Sequence, residues 1–232
     1  MPHPIILFTS LSAKKSLYDY VLKDARRFHP DARLIGADSN PVCFGAQYVE
    51  EFITMPPISD LDPTGFCDFC VKHRISHVIP TRDGELAFLA ETEKILGEEN
   101  IHVFIAPPEP VSKCLDKLVF SERLAADGMP VIPTSSSIDE LPDDRLVVKE
   151  RLGSGSEQVG INLTREAAEI HAEKMKDPIF QPYIQGHEFS AEVWLDKTSR
   201  AYGVVLRWRK KVVNGESHHT VTFHNGEWED LV

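Results

Sequence analysis

Short apolar runs alternate with amphipathic segments along the first part of the chain. The runs that predict strands, each ending in small or polar residues, are PIILFTS, ARLIGADSN, SHVIPTRDGE and IHVFIAP. The segments between them that predict helices are AKKSLYDYVLKDARRF, DPTGFCDFCVKHRI and ELAFLAETEKILGEEN. In the first of these, the apolar positions with helical spacing are Leu17, Tyr20, Val21, Ala25 and Phe28. Strands that alternate with helices indicate parallel pairing, so we predict an open α/β sheet over residues 1–107.

Two polar positions follow strands of this predicted sheet. Asp38 ends the second predicted strand, and the loop Thr81–Glu85 follows the third. Ligands of open α/β sheets bind outside the carboxyl ends of the strands. We therefore expect Asp38 and this loop to lie at the ligand-binding edge.

The pattern changes at Pro107, where a cluster of prolines predicts a stiff linker: Pro107, Pro108 and Pro110. A helix is predicted over Leu115–Asp127, ended by Gly128. The β-like segments that follow are PVIPT, RLVVKE, QVGINL and IFQPYI, and the helix TREAAEIHAEKMK, with Thr164 as its N-cap, separates the last two. The remaining sequence alternates like antiparallel strands and contains an Asn214-Gly215 hairpin signal. Residues 108–232 therefore predict an α+β domain.

Charge and composition exclude several classes of partner. Lys and Arg number 25 against 36 Asp and Glu, a formal net charge of −11, which argues against nucleic acid and anionic membrane surfaces as partners. No apolar run approaches the roughly 20 residues that span a bilayer, and the N-terminus lacks the pattern of a signal peptide. Four cysteines do not suggest a disulfide scaffold, so we expect a cytoplasmic location.

The stretch LVVKERLGSGSEQVGIN is rich in glycine but matches neither common phosphate-binding fingerprint. Ile161 occupies the lysine position of a Walker A loop, and the dinucleotide fingerprint fails at Gln158. Lys149 on a strand, followed by a glycine-serine loop and a return strand, instead predicts a hairpin flap. Backbone N–H groups near Gly153 and Gly155 can approach phosphate because glycine has no Cβ. An ordinary hairpin turn with surface serines remains open.

Three further segments, one before this stretch and two after it, carry charged residues that could act together with it. They are CLDKLVFSERLAADGMPVIPT, which contains Lys117, FQPYIQGHEFSAEVWLD, which contains Glu188, and RWRKKVVNGES, which contains Arg207 and Arg209. In this order and at these spacings the chain resembles the ATP-grasp superfamily. The upstream α/β region resembles the pre-ATP-grasp domain, and the nearest branch is similar to the ATP-grasp portions of carbamoyl-phosphate synthase.

The resemblance implies a fold and a set of ATP contacts. The fold is an open parallel-sheet pre-ATP-grasp domain at 1–107, followed at 108–232 by an α+β ATP-grasp domain lacking its C-terminal part. The implied contacts are Lys117 and Lys149 to the phosphates, a flap of Gly153, Ser154, Gly155 and Ser156, Gln181, Tyr183 and Ile184 to adenine, and Glu188 to the ribose. Arg207 and Arg209 would face the transferred phosphoryl group or the acid. Taken singly, the charged residues could instead be solvated, and Tyr183 and Ile184 could be core.

The chain departs from the family pattern in two places. Glu150 stands where the family usually has proline, so its carboxylate must point away from the phosphates or weaken their binding. The family's late magnesium ligands, a glutamate and a Glu-x-Asn near the C-terminal end of the domain, are not found before the sequence ends at FHNGEWEDLV, and the Glu-x-Asn at Glu98–Asn100 lies upstream in the first domain. We therefore expect Mg²⁺ to be bound by ligands outside this chain and assign no metal ligand within it. Cys67 and Cys70 form a lone Cys-x-x-Cys, for which packing is favoured over zinc.

The resemblance implies the ATP-binding portion of an ATP-dependent carboxylate–amine, or carbamoyl-phosphate-forming, ligase that works through an acyl phosphate. ATP and an unidentified carboxylate are the expected ligands, and this chain alone is expected to be inactive. Two alternatives remain open. The chain could be a non-catalytic nucleotide-binding module, or one chain of a split enzyme that a partner chain or a homodimer completes.

Overall fold

The computed structural model describes residues 3–153, 158–196, 198–213 and 216–230. The chain forms two compact units, unit 1 (Met1–Leu115) and unit 2 (Asp116–Val232). Among the described residues, no helix combines the length and the apolar character needed to cross a membrane.

Unit 1 is built on a parallel sheet of five strands. The strands are β1 (Ile5–Phe8), β2 (Arg33–Asp38), β3 (Phe52–Thr54), β4 (His77–Ile79) and β5 (His102–Val103). Their order is β3-β2-β1-β4-β5, and every neighbouring pair is parallel, which confirms the predicted open α/β sheet. Sequence reasoning missed β3, since an edge strand of three residues is too short to show a hydrophobic period.

Four helices accompany this sheet. They are α1 (Lys15–Phe28), α2 (Pro63–Lys72), α3 (Asp83–Glu98) and α4 (Pro108–Leu115). The carboxylate of Asp62 caps α2 by accepting the Gly65 N–H at 2.9 Å, and Pro63 at the first helical position needs no donor of its own. The expected linker at Pro107 is wrong as a description of this segment, because α4 begins at Pro108. Proline is tolerated in the first turn, where N–H groups have no intrahelical acceptor.

Apolar side chains cover both faces of the sheet, which explains why its strands are apolar without interruption. Leu7 packs on one side with Phe66 of α2 and Leu89 of α3, whereas Phe8 packs on the other side with Tyr18 of α1.

The apolar face predicted for α1 is partly wrong. Tyr18 and Leu22 are its buried residues, whereas Tyr20 and Phe28 are 66% and 91% exposed. The hydroxyl of Tyr18 donates to the Leu34 carbonyl at 2.6 Å, so this amphipathic side chain is buried with its polar end satisfied. Burial also raises the pKa of Tyr18 to about 12.

Unit 2 contains two antiparallel sheets of three strands each. The strands are β6 (Arg145–Glu150), β7 (Gly160–Thr164), β8 (Pro178–Pro182), β9 (Phe189–Leu195), β10 (Ala201–Val213) and β11 (Glu216–Phe223). The sheet orders are β7-β6-β8 and β11-β10-β9. The helices are α5 (Lys117–Ala126), α6 (Arg165–Ala172) and α7 (Gly226–Glu229). This confirms an α+β domain in the second half of the chain.

Local predictions in unit 2 have mixed outcomes. Thr164 caps α6 as predicted, since its hydroxyl accepts the Ala167 N–H at 3.3 Å. The strand predicted for PVIPT is wrong: this segment contains no strand, and only the next residue, Ser135, forms an isolated bridge, to Phe180. Two prolines in five residues remove the N–H groups that a strand would use. The Asn214-Gly215 turn lies outside the described residues.

The two sheets of unit 2 are packed by different residues. The β7-β6-β8 sheet and α6 share an aliphatic cluster that includes Leu146, Val148 and Ala168. The β11-β10-β9 sheet carries an aromatic cluster in which Trp208 stacks on Phe223 with 4.4 Å between ring centroids. Other apolar side chains of the second sheet are exposed, including Trp194 at 63% and Tyr202 at 84%.

Candidate functional site

Lys149 lies on β6, the central strand of the β7-β6-β8 sheet. Leu146 and Val148 are fully buried in the aliphatic cluster, and successive side chains of a strand point to opposite faces, so Lys149 lies on the other face. Burial, and secondarily the positive charge of Lys117, lower the pKa of Lys149. No hydrogen bond or ion pair of the Lys149 ammonium is found within the described ranges. A half-buried cation beside a second cation is a favourable place for an anionic ligand.

Lys117, at the start of α5, contacts the backbone where the glycine-rich segment begins. Its ammonium donates to the carbonyls of Glu150 at 3.1 Å, Arg151 at 3.3 Å and Gly153 at 2.7 Å. Gly153 has φ +109°, a conformation that residues with a Cβ rarely adopt. Lys117 therefore lies beside Gly153 and close enough to Lys149 to lower its pKa, and their contact with phosphate stays a prediction. Ser154, Gly155 and Ser156 lie outside the described residues, so the flap stays a prediction.

Asp116 and Arg151 join the two elements that carry the lysines, and sequence reasoning missed both. One Asp116 oxygen caps α5 by accepting the N–H groups of Leu118 and Val119 at 3.1 Å each. Arg151, just after β6, donates to the same carboxylate from Nε at 2.9 Å and from Nη2 at 2.7 Å. The Arg151 guanidinium, helped by the helix N–H groups, lowers the pKa of Asp116. The only sign of this ion pair in the sequence was that an aspartate directly precedes Lys117.

The substitution Asp116→Ala is expected to lower the free energy of unfolding of unit 2 by about 1 kcal/mol through the lost helix cap alone. The pKa of Asp116 is lower in the folded protein, so its stabilisation is complete above the ordinary carboxyl pKa of about 3.9 and is lost as pH falls below that value. The stability difference between wild type and variant should therefore be constant at neutral pH and narrow in acid. Urea unfolding at several pH values, followed by tryptophan fluorescence, measures it, since all 3 tryptophans lie in unit 2.

Asp127→Ala is the matched control for this prediction. Asp127 pairs with Arg123 on the surface of the same helix at 2.9 Å, and both side chains are largely exposed. Exposed pairs of this kind contribute little. Equal effects of the two substitutions, or a difference that does not narrow in acid, would contradict the role given to Asp116.

The carboxylate of Glu150 faces the turn before β8. It accepts the backbone N–H groups of Lys176 at 2.7 Å and Asp177 at 3.1 Å, and these hydrogen bonds lower its pKa. The sequence left two outcomes for Glu150: its carboxylate points away from the phosphates, or it weakens their binding. These contacts are consistent with the first outcome.

The segment proposed for adenine leaves the sheet beside the strand that carries Lys149. Gln181 pairs with Val147 of β6, and its Nε2 donates to the Thr134 hydroxyl at 2.7 Å. The Tyr183 N–H donates to the Arg145 carbonyl at 2.8 Å, and the Ile184 side chain is 63% exposed. The structure thus places these residues at one end of β8, and their contact with adenine stays a prediction.

Arg207 and Arg209 lie on β10 of the second sheet of unit 2, and Glu188 directly precedes β9 of the same sheet. The Arg209 guanidinium forms an ion pair with Glu188, and Arg207 Nε donates to Glu192 at 2.6 Å. Trp208 belongs to the aromatic cluster on one face of β10, so the two flanking arginines share the opposite face. The structure therefore brings Glu188, just before β9, together with Arg209 of β10, a pairing that sequence reasoning had not predicted.

Cys67 and Cys70 are packing residues of α2. Both are buried in the apolar cluster of unit 1, and burial raises the pKa of Cys70 to about 12. Neither thiol has the depressed pKa that marks a reactive or metal-binding cysteine. Both are free, as are Cys43 and Cys114.

Comparison with protein families gives one matching profile for each half of the chain. The profile of the ATP-grasp domain matches residues 114–231, just over half of the chain. The chain belongs to the ATP-grasp family. A second profile, described as the PylC-like N-terminal domain, matches residues 6–104. Comparison with curated protein sequences gives no match.

Solved structures with this fold include several ATP-grasp enzymes. The biotin carboxylase domain of 2-oxoglutarate carboxylase from Hydrogenobacter thermophilus superposes with a TM-score of 0.67 at 15% identity, covering 92% of this chain and 51% of that one. The L-amino acid ligase from Bacillus licheniformis superposes with a TM-score of 0.65 at 16% identity, covering 96% of this chain and 55% of that one. Phosphoribosylglycinamide synthetase from Anaerococcus prevotii superposes with a TM-score of 0.58 at 16% identity, covering 95% of this chain and 55% of that one. This ATP-grasp chain thus spans about half the length of these proteins, and at such identities the likeness establishes the fold.

Proposed function

We propose that unit 2 binds ATP with its phosphates at Lys149 and Lys117. The observation that carries this proposal is the half-buried Lys149 ammonium, whose pKa is lowered by burial and by Lys117. Placing a second cation close to a half-buried one is unfavourable, and a polyphosphate between them would offset that cost by charge-assisted hydrogen bonds. Gly153 to Ser156 would then cover the phosphates.

The base and ribose would occupy the end of β8 and the start of the second sheet. The backbone between Gln181 and Ile184 would hydrogen-bond to the edge of adenine, with the exposed Ile184 side chain against the ring. Glu188 would accept the ribose hydroxyls, because a carboxylate can accept several donors at once. Its ion pair with Arg209 would either be shared with the ribose or be released on binding.

The activity we propose is that of an ATP-dependent carboxylate–amine ligase. The γ-phosphoryl group is transferred to a carboxylate oxygen, and an amine then attacks the acyl carbon and expels phosphate. Arg207 and Arg209 would face the transferred phosphoryl group or the acid. Support comes from ATP-grasp membership and from two neighbours in fold named as an L-amino acid ligase and a glycinamide synthetase. A carbamoyl-phosphate-like variant would use bicarbonate as the acid, and the structure of the 2-oxoglutarate carboxylase domain contains MgADP, ADP and bicarbonate.

Magnesium is the cofactor that ATP-grasp membership implies, and the described part of unit 2 does not fit it. Within the described ranges, the one group of three or more histidine, cysteine or acidic side chains close enough to share an ion lies in unit 1. Glu188 and Glu192 are each engaged by an arginine. We therefore assign no magnesium ligand among the described residues of unit 2 and propose that the ion's ligands lie outside this chain.

The second candidate function is nucleotide binding without catalysis by this chain alone, as a module or as one chain of a split enzyme. The chain covers only about half of the solved structures that it matches, so catalysis by this chain stays a proposal. A cytoplasmic location remains the expectation from composition under either function.

Calorimetric titration with ATP, ADP and AMP, with and without Mg²⁺, tests the proposal. We expect ATP and ADP to bind and AMP to bind much more weakly, because AMP carries only one of the phosphate groups that Lys117 and Lys149 would hold. No detectable binding at millimolar ATP would overturn the assignment. Phosphate release in the presence of amino acids and amines would support the ligase, whereas tight ATP binding without it would favour the second candidate.

A further inference from the structure

Three metal-ligating side chains meet at the amino end of the parallel sheet in unit 1. His3 lies just before β1, His29 directly follows α1, and Asp31 lies two residues before β2. Since β1 and β2 are adjacent and parallel, their starts lie side by side. This edge is opposite the one formed by Asp38 and Thr81, where open α/β sheets bind their ligands.

The separations among these side chains suit a tetrahedral ion. One donor atom from each residue lies within 4.8 Å of the other two. His3 Nδ1 and Asp31 Oδ2 are 3.5 Å apart. A tetrahedral zinc with bonds of about 2.1 Å has ligands about 3.4 Å apart, so this pair already has the required spacing. The rings of His3 and His29 meet edge to face, with centroids 5.5 Å apart and planes at 81°.

His29 carries a buried nitrogen that the described residues do not satisfy. Its Nδ1 is inaccessible to solvent and has no hydrogen-bond partner among them. The backbone of His29 is fully bonded, because its N–H donates to the Ala25 carbonyl at 2.9 Å and its carbonyl accepts the Ala32 N–H at 2.8 Å. The ring is thus held in place while one nitrogen remains unsatisfied, an arrangement that is unfavourable unless a ligand completes it.

We propose that His3, His29 and Asp31 bind a divalent transition metal ion, with Zn²⁺ as the best match and water at the open fourth position. Two imidazoles and one carboxylate suit zinc, whereas Mg²⁺ and Ca²⁺ prefer oxygen ligands. The side chains of His3 and Asp31 are 62% and 70% exposed, so an ion would reach these two ligands directly from solvent. The bound ion would join the start of the chain to the α1–β2 loop and stabilise the fold by mass action.

Zinc titration of the metal-free protein tests this site independently of ATP. The chain is first treated with a chelator and carries Cys114→Ser, since Cys114 is the one exposed thiol of the four. We expect about one Zn²⁺ per chain, a higher melting temperature with zinc, and no competition from excess Mg²⁺. Cobalt bound in place of zinc should show the intense visible absorption of a tetrahedral complex.

His3→Ala and Asp31→Asn are the test variants, and both change side chains that are largely exposed. Loss of a second-shell partner alone lowers metal affinity about 10-fold or more, so loss of a ligand should lower it at least as much. His224→Ala is the matched control, because His224 faces Glu229 at 3.3 Å in a pair that has no third ligand in the described part of the chain. The proposal is overturned if the metal-free protein binds no zinc, if either test variant binds it as tightly as its parent, or if the control weakens binding equally.

Discussion

Replacing Lys149 by alanine should lower the affinity for ATP by about 10- to 100-fold. Hydrogen bonds that involve a charged group contribute about 1.5–3 kcal/mol, and each 1.4 kcal/mol is a factor of ten in affinity. The ammonium is half-buried, without a partner among the described residues, so its interaction with phosphate is poorly screened by water. Calorimetric titration with ATP measures the loss.

The fold should tolerate this substitution. Burial and the Lys117 charge already disfavour the protonated form of Lys149, so its removal takes away an unfavourable charge from the free protein. The urea midpoint of Lys149→Ala should therefore equal or exceed that of the wild type.

Lys174→Ala is the matched control for Lys149→Ala. Lys174 is an exposed lysine just beyond α6 in the same unit, and its removal should leave ATP affinity unchanged. If Lys149→Ala binds ATP like the wild type, or if Lys174→Ala weakens binding equally, the phosphate assignment is wrong.

The sheet of unit 1 could be predicted because its strands are apolar on both faces. Leu7 and Phe8 point to opposite sides, and each meets a helix-covered cluster, so the run remains apolar throughout. The orientation of α1 could not be predicted, since helical spacing alone does not say whether Tyr18 or Tyr20 is buried. The Leu34 carbonyl that accepts the Tyr18 hydroxyl decides this point, and it is 16 residues away.

The lysine pair of unit 2 could be predicted in part from sequence order and alternation. Lys149 follows Leu146 and Val148 with a strand period, which places it on the face away from the core. The partners of the charged residues could not be predicted, because they depend on register and on contacts between distant segments. Asp116 meets Arg151 across 35 positions, and Arg209 meets Glu188 across 21.

The group formed by His3, His29 and Asp31 could not be predicted from the sequence either. No spacing motif connects His3 with His29 and Asp31, since only the parallel pairing of β1 and β2 brings their ends together. A metal site formed in this way has no signature in a single sequence.

Leu146→Ala should have the largest effect on stability, lowering the free energy of unfolding of unit 2 by about 2–5 kcal/mol. Leu146 is fully buried on β6, where it pairs with Leu163 on one side and Pro182 on the other. The aliphatic cluster around it is small, so few neighbours can move to fill the cavity. Urea unfolding followed by tryptophan fluorescence and far-UV circular dichroism measures the loss.

Leu152→Ala is the control for Leu146→Ala, since Leu152 is 57% exposed just beyond the same strand. Similar effects of the two substitutions would contradict the central position of β6 in the core.

ATP itself should separate the two roles of β6. A ligand that binds only the folded state raises stability according to its concentration relative to Kd. Leu146→Ala keeps Lys149, so saturating ATP should raise its urea midpoint, whereas the same ATP concentration should raise the midpoint of Lys149→Ala by clearly less. If ATP shifts both variants equally, the phosphates bind somewhere other than at the face of β6 that carries Lys149. One strand would thus supply the core with Leu146 and the ligand with Lys149, because alternate side chains lie on its two faces.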